Sequence, residues 1–471
     1  MIFNQFFAFP FCLFKERNER KMEKLFKLKE NGTNVKTELL AGLTTFLAMV
    51  YILAVNPSML AVAGMDAGAV FTATAVSAAF ACLCMAFFAN YPIALASGMG
   101  LNAYFAYSVC LPMAEAGIND PWQIALTAVL CEGIIFIILS LFKFRETLVN
   151  KVPANLKYGI SAGIGLFITI VGLKGAGVVI GDASTLVAMG SVGSPQFVLA
   201  MVGLLVIGIL HHYKVPGDIL WGIIITWVLG MIAQLAGWYK VDIEAGVYSL
   251  FPDFSNGINL TAPHFFKFDF SYVTDHFAEF AVVVFSFLFV DLFDTVGTVI
   301  GVADKGNLLD EDGNLPRAGG ALMADAVGTV IGACLGTSTV TSYVESSAGV
   351  AQGGRTGLTA VATGVLFLIA LVLSPIFLAI PGFATTPALV FVGLLMMSSV
   401  KKMTFDGDIA DVISGFVALV MMPFTYSIAN GIMFGILSWV ILKVCTGKVK
   451  DIHPVMWVAS ALFILRIITL I

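Results

Sequence analysis

Apolar runs long enough to cross a bilayer follow one another along almost the whole chain, separated by short polar stretches. A transmembrane helix needs about 20 mostly apolar residues. By run length and loop signals we predict fourteen spans, some of them short, at about residues 38–56, 68–89, 92–112, 121–142, 156–177, 196–212, 215–237, 276–302, 318–335, 337–352, 356–380, 385–402, 411–428 and 430–446. This pattern predicts an all-α polytopic membrane protein.

The composition agrees with this fold class. Hydrophobic residues make up 59% of the 471, and only 12% are charged, against roughly 25% in soluble domains. The net charge is -5 and no basic stripe follows the N-terminal tail, so a nucleic-acid partner is not expected. The cysteines form no CxxC pair and the histidines lack zinc-site spacing, so we expect neither a metal nor a cofactor.

Positive charge is distributed unevenly over the loops. The tail, residues 1–36, the even-to-odd loops and the stretch after span fourteen together hold 21 of the 25 Lys and Arg residues. Because cytoplasmic loops carry the excess of Lys and Arg, this predicts a cell-membrane protein with a cytoplasmic N-terminus. Whether translation starts at Met1 or Met22 is left open, as is whether residues 453–470 form a fifteenth span, an interfacial helix or a packed segment.

The fourteen spans divide into two sets of seven, and an odd number per set makes the second set inverted relative to the first. Span three is interrupted at Gly98 and Gly100, and span ten, its positional mate, is also rich in glycine and polar residues. Paired broken spans are the best sequence indication of a transporter's binding site near the middle of the bilayer. Asn102 follows the break in span three, and its amide can both donate and accept hydrogen bonds.

Span ten reads LGTSTVTSYVESSAGVAQGGR from residue 335. The stretch Thr337–Tyr343 is rich in β-branched and hydroxyl residues, which predicts extended backbone, and a half-helix is expected to begin after Glu345. Extended backbone at membrane depth occurs only where it is buried in protein or lines a cavity. Glu345 is therefore a candidate ligand group, together with the hydroxyls of Thr337, Ser338 and Thr339. The alternative is a polar loop with Glu345 at the water interface.

Span eight carries Asp291 and Asp294 in an otherwise apolar helix, where their spacing places both on one face. A carboxylate at the centre of a span costs about 2.5–3.5 kcal/mol on insertion scales, so a functional role is the default interpretation. We expect Asp291 to be the leading proton-linked group, with Asp294 beside it. The alternative is that one of them caps a neighbouring broken helix. Asp325 in span nine is interpreted as a helix-packing group.

Five motifs identify a known family: TELLAGLTTFLAMVYILAVNP, GMGLNAYF, FVDLFDTVGTVIGVA, GTSTVTSYVESSAGVAQGGRTGLTAV and MMPFTYSIANGIMFG. From about Thr37 to its end, the chain resembles the AzgA-like purine permeases of the nucleobase-cation symporter-2 group. The resemblance implies the seven-plus-seven inverted repeat of the uracil permease type, with short strands in spans three and ten.

The resemblance also implies a division of the chain into a core and a gate domain. The expected segments are a cytoplasmic tail (1–36), the first core segment (37–152, spans 1–4), the first gate segment (153–238, spans 5–7), an extracytoplasmic loop (239–275), the second core segment (276–382, spans 8–11), the second gate segment (383–452, spans 12–14) and an apolar C-terminal segment (453–471).

For function, the resemblance implies inward transport of adenine, guanine or hypoxanthine with protons, by an elevator-like movement. It implies that Asn102, Asp291 and Glu345 bind the base and that Asp294 is important for transport. Thr295 stands where the more distant uracil permeases have a histidine, so coupling here cannot use that group. The expected partners are the base, the proton and the lipid bilayer, and homodimerisation is left open.

Two other classes of protein are the alternatives. An anion transporter or channel of the related sulfate-permease architecture shares the broken spans, but carboxylates aimed at the site argue against an anionic substrate. A membrane-embedded enzyme would need a nucleophile and base at matching depth, which the sequence does not offer, so no enzymatic activity is expected. The sequence does not rank the three purines, because one or two pocket hydrogen bonds decide such preferences.

Overall fold

The fold comes from a computed structural model, which describes residues 22–141, 152–182, 184–241, 249–252, 260–309 and 315–470. The question of whether translation starts at Met1 or Met22 concerns residues 1–21, which lie outside these ranges. The elements in chain order are α1 (Val35–Met49), α2 (Ile52–Ala61), α3 (Ala67–Phe88), β1 (Leu95–Ser97), α4 (Met99–Ala103), α5 (Leu111–Glu115), α6 (Pro121–Leu141), α7 (Ala154–Gly175), β2 (Val179–Asp182), β3 (Leu186–Met189), α8 (Pro195–His212), α9 (Asp218–Leu235), α10 (Ser271–Asp275), α11 (Phe277–Lys305), α12 (Ala318–Leu335), β4 (Val340–Ser342), α13 (Ser346–Ala351), α14 (Gly357–Ala370), α15 (Ser374–Leu378), α16 (Gly382–Met397), α17 (Ile409–Phe424), α18 (Ile428–Cys445) and α19 (Pro454–Leu470).

Long apolar helices make up most of this structure, as predicted. In the described ranges of the chain, eleven helices are long and apolar enough to cross a membrane. The other three predicted spans are shorter: spans three and ten are broken, and α17 has 16 residues. The fold class is therefore confirmed, whereas the number of fourteen crossings stays a prediction.

Many helices begin at a polar side chain that satisfies the first free backbone N–H groups. Asp66 caps α3, Thr356 caps α14 and Ser427 caps α18, in each case by accepting a hydrogen bond from a backbone N–H two or three residues further on. Inside a membrane such caps matter more than in water, because lipid offers no substitute partner.

The two broken spans pair with each other through their short strands. β1 and β4 run antiparallel, with Leu95 opposite Ser342 and Ser97 opposite Val340. The extended backbone predicted for span ten is therefore confirmed, and pairing with span three satisfies the N–H and C=O groups that an isolated strand would leave free. A second hairpin, β2 with β3, follows α7 and was not predicted. Most residues of this hairpin are exposed. Its two strands are only four residues long, and their sequence shows no clear alternation of apolar and polar residues that would have predicted them.

The helices pack most extensively in two groups. In one group α3, α6, α12 and α14 pack together, with α1 against α14. In the other, α7 packs against α16 and α17, and α8 against α9 and α16. Gly159 of α7 lies so close to α17 that an added Cβ would come within 2.1 Å of the Gly415 carbonyl oxygen. The groups draw on the spans expected for the core and gate domains, but the division into moving bodies stays a prediction.

The apolar C-terminal segment forms the helix α19, which packs against α11 and α18. Phe463 is fully buried and lies edge-on to Phe285, with ring centroids 5.5 Å apart. Residues 454–470 thus form a helix in contact with the bundle, and whether this helix crosses the membrane stays open.

Candidate functional site

The site is built around the pairing of β1 with β4. Beyond the paired strands, the Gly98 N–H donates to the Thr339 carbonyl at 3.0 Å, and the Tyr343 N–H donates to the Ala94 carbonyl at 3.0 Å. The Tyr343 hydroxyl reaches across to the Ser97 carbonyl at 2.5 Å. These bonds fix the two broken spans against each other, so the polar side chains on them have defined positions.

Glu345 is the N-cap residue of the half-helix α13, where the sequence predicted it. Glu345 is partly exposed, although α13 packs against α1 and α11. The hydroxyl of Tyr51 donates to Glu345 Oε1 across 2.6 Å. Tyr51 lies at the break between α1 and α2 and is itself 1% exposed. A short bond to a carboxylate is of the strong, charge-assisted kind.

Asn102 and Ser338 connect the two broken spans by a side-chain hydrogen bond. The Ser338 hydroxyl donates to Asn102 Oδ1, and both side chains are fully buried. The amide Nδ2 of Asn102 has no hydrogen-bond partner among the described residues. Because a buried N–H without a partner is costly, this amide is suited to donate to a bound ligand or water.

Thr337 and Thr339 are engaged by other spans. Thr337 accepts from Asn56 Nδ2 at 2.9 Å and lies 2.8 Å from the Ser97 hydroxyl. The Thr339 hydroxyl donates to Glu132 Oε2 at 2.9 Å. Both threonines are fully buried. In this conformation they position the strand, and their roles as ligands stay predictions.

Asp291 belongs to a buried network behind β4. The hydroxyl oxygen of Thr295 lies 3.1 Å from Asp291 Oδ1, 2.9 Å from Asp325 Oδ1 and 2.8 Å from the Thr341 hydroxyl. All four side chains are buried. Asp325, which the sequence suggested to be a packing group, thus shares a hydroxyl with the leading proton-linked candidate.

Asp294 differs from Asp291 in depth. Its side chain is partly exposed, whereas Asp291 is fully buried. The carboxylates of Asp325 and Glu345 are close enough to repel its charge. Glu345 and Asp294 are therefore the partly exposed carboxylates of this region, and Asp291 is the fully buried one.

Several residues of this arrangement were not predicted as site residues: Tyr51, Asn56, Glu132 and Asp325. Glu132 lies in the middle of α6, so the insertion cost that singled out Asp291 would also have found it. Tyr51 carried no such signal, because a tyrosine in an apolar span is ordinary.

The chemistry available here is hydrogen bonding to a polar solute, through a carboxylate that accepts and an amide that donates. Over the described ranges, no three His, Cys, Asp or Glu side chains come together as ligands for a metal ion.

Comparison with known proteins shows which family the chain belongs to. A model of the Permease family, the xanthine and uracil permeases, matches residues 36–434. The chain is 42% identical over 457 residues to the adenine permease AdeP of Escherichia coli, covering 95% of this chain and 96% of the relative. It is 44% identical over 460 residues to the guanine/hypoxanthine permease PbuG of Bacillus subtilis, covering 95% and 100%.

Among solved structures, the transmembrane domain of a cyanobacterial bicarbonate transporter, BicA, superposes with a TM-score of 0.63 at 16% identity, covering 85% of this chain and 97% of that one. At this identity the likeness concerns the fold alone, which is the seven-plus-seven inverted repeat. The relatives are transporters and not enzymes. The chain belongs to the xanthine/uracil permease family of multi-pass membrane proteins.

Proposed function

We propose that the protein imports purine nucleobases and that the base binds beside Glu345. The observation that carries this proposal is the partly exposed Glu345 at the start of one half-helix, next to the paired strands of the two broken spans. The buried amide of Asn102, on the other broken span, offers a donor without a partner among the described residues. A neutral purine presents N–H donors and ring acceptors in one plane, which a carboxylate and an amide can match. The names of the relatives AdeP and PbuG support the same class of substrate.

We further propose that import is coupled to protons through Asp291 and Asp294. A hydroxyl has one hydrogen, so Thr295 can donate to only one of Asp291 and Asp325 at a time. A proton on either carboxyl group would add a donor to this network, and its release would change the charge behind β4. This is the behaviour required of a coupling site.

The proposed movement is elevator-like, with the core domain carrying the base past the gate domain in a cell membrane and with the N-terminus in the cytoplasm. The support for it is the fold and the tight packing within each group of helices. Homodimerisation is compatible with such a movement, because a fixed gate domain could anchor two copies.

The proposed function is tested by the uptake of radiolabelled adenine, guanine and hypoxanthine into cells that lack their own purine permeases. We expect at least one base to be accumulated by cells that make this protein. Uptake of bicarbonate or sulfate instead would favour the anion-transporter alternative, which the carboxylates at the site argue against.

A variant at Glu345 tests most directly in this experiment whether this residue binds the base. Glu345→Gln keeps the shape of the side chain and removes its charge, and hydrogen bonds to charged groups contribute about 1.5–3 kcal/mol. The apparent KM should rise at least about tenfold while expression stays intact. Glu279→Gln is the matched control, because Glu279 also accepts a tyrosine hydroxyl but lies at the start of α11. Unchanged affinity in Glu345→Gln would refute the assignment.

A further inference from the structure

We infer that Tyr51 determines which purines Glu345 accepts, because its hydroxyl already occupies one of the two carboxylate oxygens. This inference rests on the proposed function, in which Glu345 binds the base. The bond joins Tyr51 to Oε1 at 2.6 Å. Among the described residues no other side chain donates to Glu345, although its own backbone N–H also bonds to the carboxylate. Each carboxylate oxygen can accept two hydrogen bonds, so a ligand that uses Oε1 shares it with Tyr51.

The contact between Tyr51 and Glu345 is built into a rigid region of the molecule. The half-helix α13 packs directly on α1, since a Cβ added at Gly349 would come within 2.1 Å of Thr45 Oγ1 and 2.6 Å of the Ala41 carbonyl oxygen. Beyond α13, the buried carboxylate of Glu38 in α1 accepts from three backbone N–H groups between residues 355 and 359 and from the Thr359 hydroxyl. Span one thus holds span ten at both ends of the half-helix.

A consequence follows for the movement of the protein. Because Tyr51 and Glu345 lie on spans that are fastened to each other, their hydrogen bond should persist in every state of transport. Tyr51 is then a constant feature of the binding site and not a contact that forms only in one conformation.

The hydrogen bond between Tyr51 and Glu345 should affect guanine and hypoxanthine differently, because the two bases present different donors. Guanine presents a ring N–H beside an exocyclic amino group, which makes two parallel donors for a carboxylate. Hypoxanthine presents the same ring N–H beside a C–H, which makes one donor. With Tyr51 on Oε1, the single donor of hypoxanthine reaches Oε2 freely, whereas the second donor of guanine must share Oε1 with the tyrosine. Tyr51 should therefore reduce the advantage of guanine over hypoxanthine.

The test is the apparent KM for guanine and for hypoxanthine in cells that lack their own purine permeases, with wild type and Tyr51→Phe. Phenylalanine keeps the buried ring and removes only the hydroxyl. We expect the ratio of the hypoxanthine KM to the guanine KM to rise about three- to tenfold, the effect of one additional hydrogen bond. Replacing Tyr51 by 4-aminophenylalanine, which restores a donor at the same place, should return the ratio towards the wild-type value.

Tyr272→Phe is the matched control. Its hydroxyl donates to Glu279 Oε2 at 2.7 Å, the same kind of bond outside the site. This variant should leave the ratio unchanged.

The wild-type protein gives a second measurement that does not depend on the folding of a variant. If Oε1 is occupied, guanine should bind no more than about tenfold tighter than hypoxanthine, and 1-methylguanine, which lacks the ring N–H, should compete poorly with both.

The remaining outcomes overturn the inference. These are an unchanged ratio in Tyr51→Phe, an equal loss for both bases, a selective loss of guanine, a large preference of the wild type for guanine, or transport of adenine alone. Failure of wild type to transport any purine would instead refute the proposed function, so the two failures can be told apart.

Discussion

At the scale of single residues, the site separates carboxylates by depth. Glu345 and Asp294 are partly exposed, while Asp291, Asp325 and Glu132 are fully buried. The buried carboxylates are bonded to hydroxyls: Asp291 and Asp325 to that of Thr295 in α11, and Glu132 to that of Thr339 next to β4. We propose that Glu345 meets the base, whereas the coupling proton is held by Asp291 and Asp294.

The variant Asp291→Asn tests whether Asp291 carries the coupling proton. Asparagine keeps the size of the side chain and can still bond to Thr295, but it cannot take up a proton. In the wild type, acidic medium should increase uptake, because one proton entering with a neutral base follows its own gradient and the membrane potential, the latter worth about 2.3 kcal/mol per 100 mV. We expect Asp291→Asn to lose this pH dependence while retaining exchange of base.

The measurement is initial uptake against external pH, together with exchange of labelled for unlabelled base. Asp275→Asn, an exposed position at the end of α10, is the control and should behave as wild type. Concentrative, pH-sensitive uptake by Asp291→Asn would place the coupling proton on another of the site's carboxyl groups.

At the scale of elements, the broken spans are held in place by close packing against neighbouring helices. Each strand is only three residues long, so it has little cohesion of its own and relies on the surrounding helices. Gly100, in α4, faces α7 from the other group of helices, and an added Cβ would lie 2.8 Å from Ile164 Cγ2. This contact lies where the proposed core and gate domains would slide past each other.

We therefore expect Gly100→Leu to reduce the maximal rate of transport at least about tenfold, with a smaller effect on the amount of folded protein. Gly208→Leu is the control, because nothing lies within 4 Å of a Cβ added at Gly208 in α8. The measurement is the maximal uptake rate of each variant, divided by the amount of protein that is recovered as a single species in detergent. Normal transport by Gly100→Leu would show that this contact does not limit the movement.

At the scale of the whole molecule, a network of ion pairs connects the start of α17 to the end of α18. Asp408, before α17, accepts from Lys443 at 2.6 Å and from Lys448 at 2.9 Å. These two ammonium groups hold the pKa of Asp408 well below its usual range. The side chain of Lys443 is only 7% exposed.

Asp408→Asn should lower the free energy of unfolding by about 1–3 kcal/mol, because it leaves Lys443 with only the weaker contact to Asp411 at 3.8 Å. For the wild type, the pKa of Asp408 is lower when folded than unfolded, where it is about 3.9. Its contribution is therefore complete above that value and is lost as the pH falls towards the folded pKa.

Thermal unfolding of the purified protein at pH 7 and at about pH 3 would check this. The difference in Tm between wild type and Asp408→Asn should shrink at the lower pH, and a difference that stays constant would contradict the assignment. The exposed pair Lys27 and Glu30 offers a control, because Glu30→Gln should change the Tm little at either pH.

The sequence by itself determined the membrane class, the broken spans and the place of Glu345. Hydrophobic length, the cost of a charge in lipid and the need to satisfy every backbone group are local properties, so a single chain displays them. The cost of a charge in lipid would also have indicated Glu132 as a candidate site residue. The family motifs added the prediction of the inverted repeat.

Only the tertiary structure decided which side chains meet. Tyr51 and Glu345 are separated by 294 residues, and Glu132 and Thr339 by 207, so no local pattern connects them. The difference in depth between Asp291 and Asp294 also has a tertiary cause: a spacing of three residues places both on one face of α11, but β4 and α12 cover that face unequally. Partners and exposure are set by the packing of distant spans, and that packing is what assigns each carboxylate its environment.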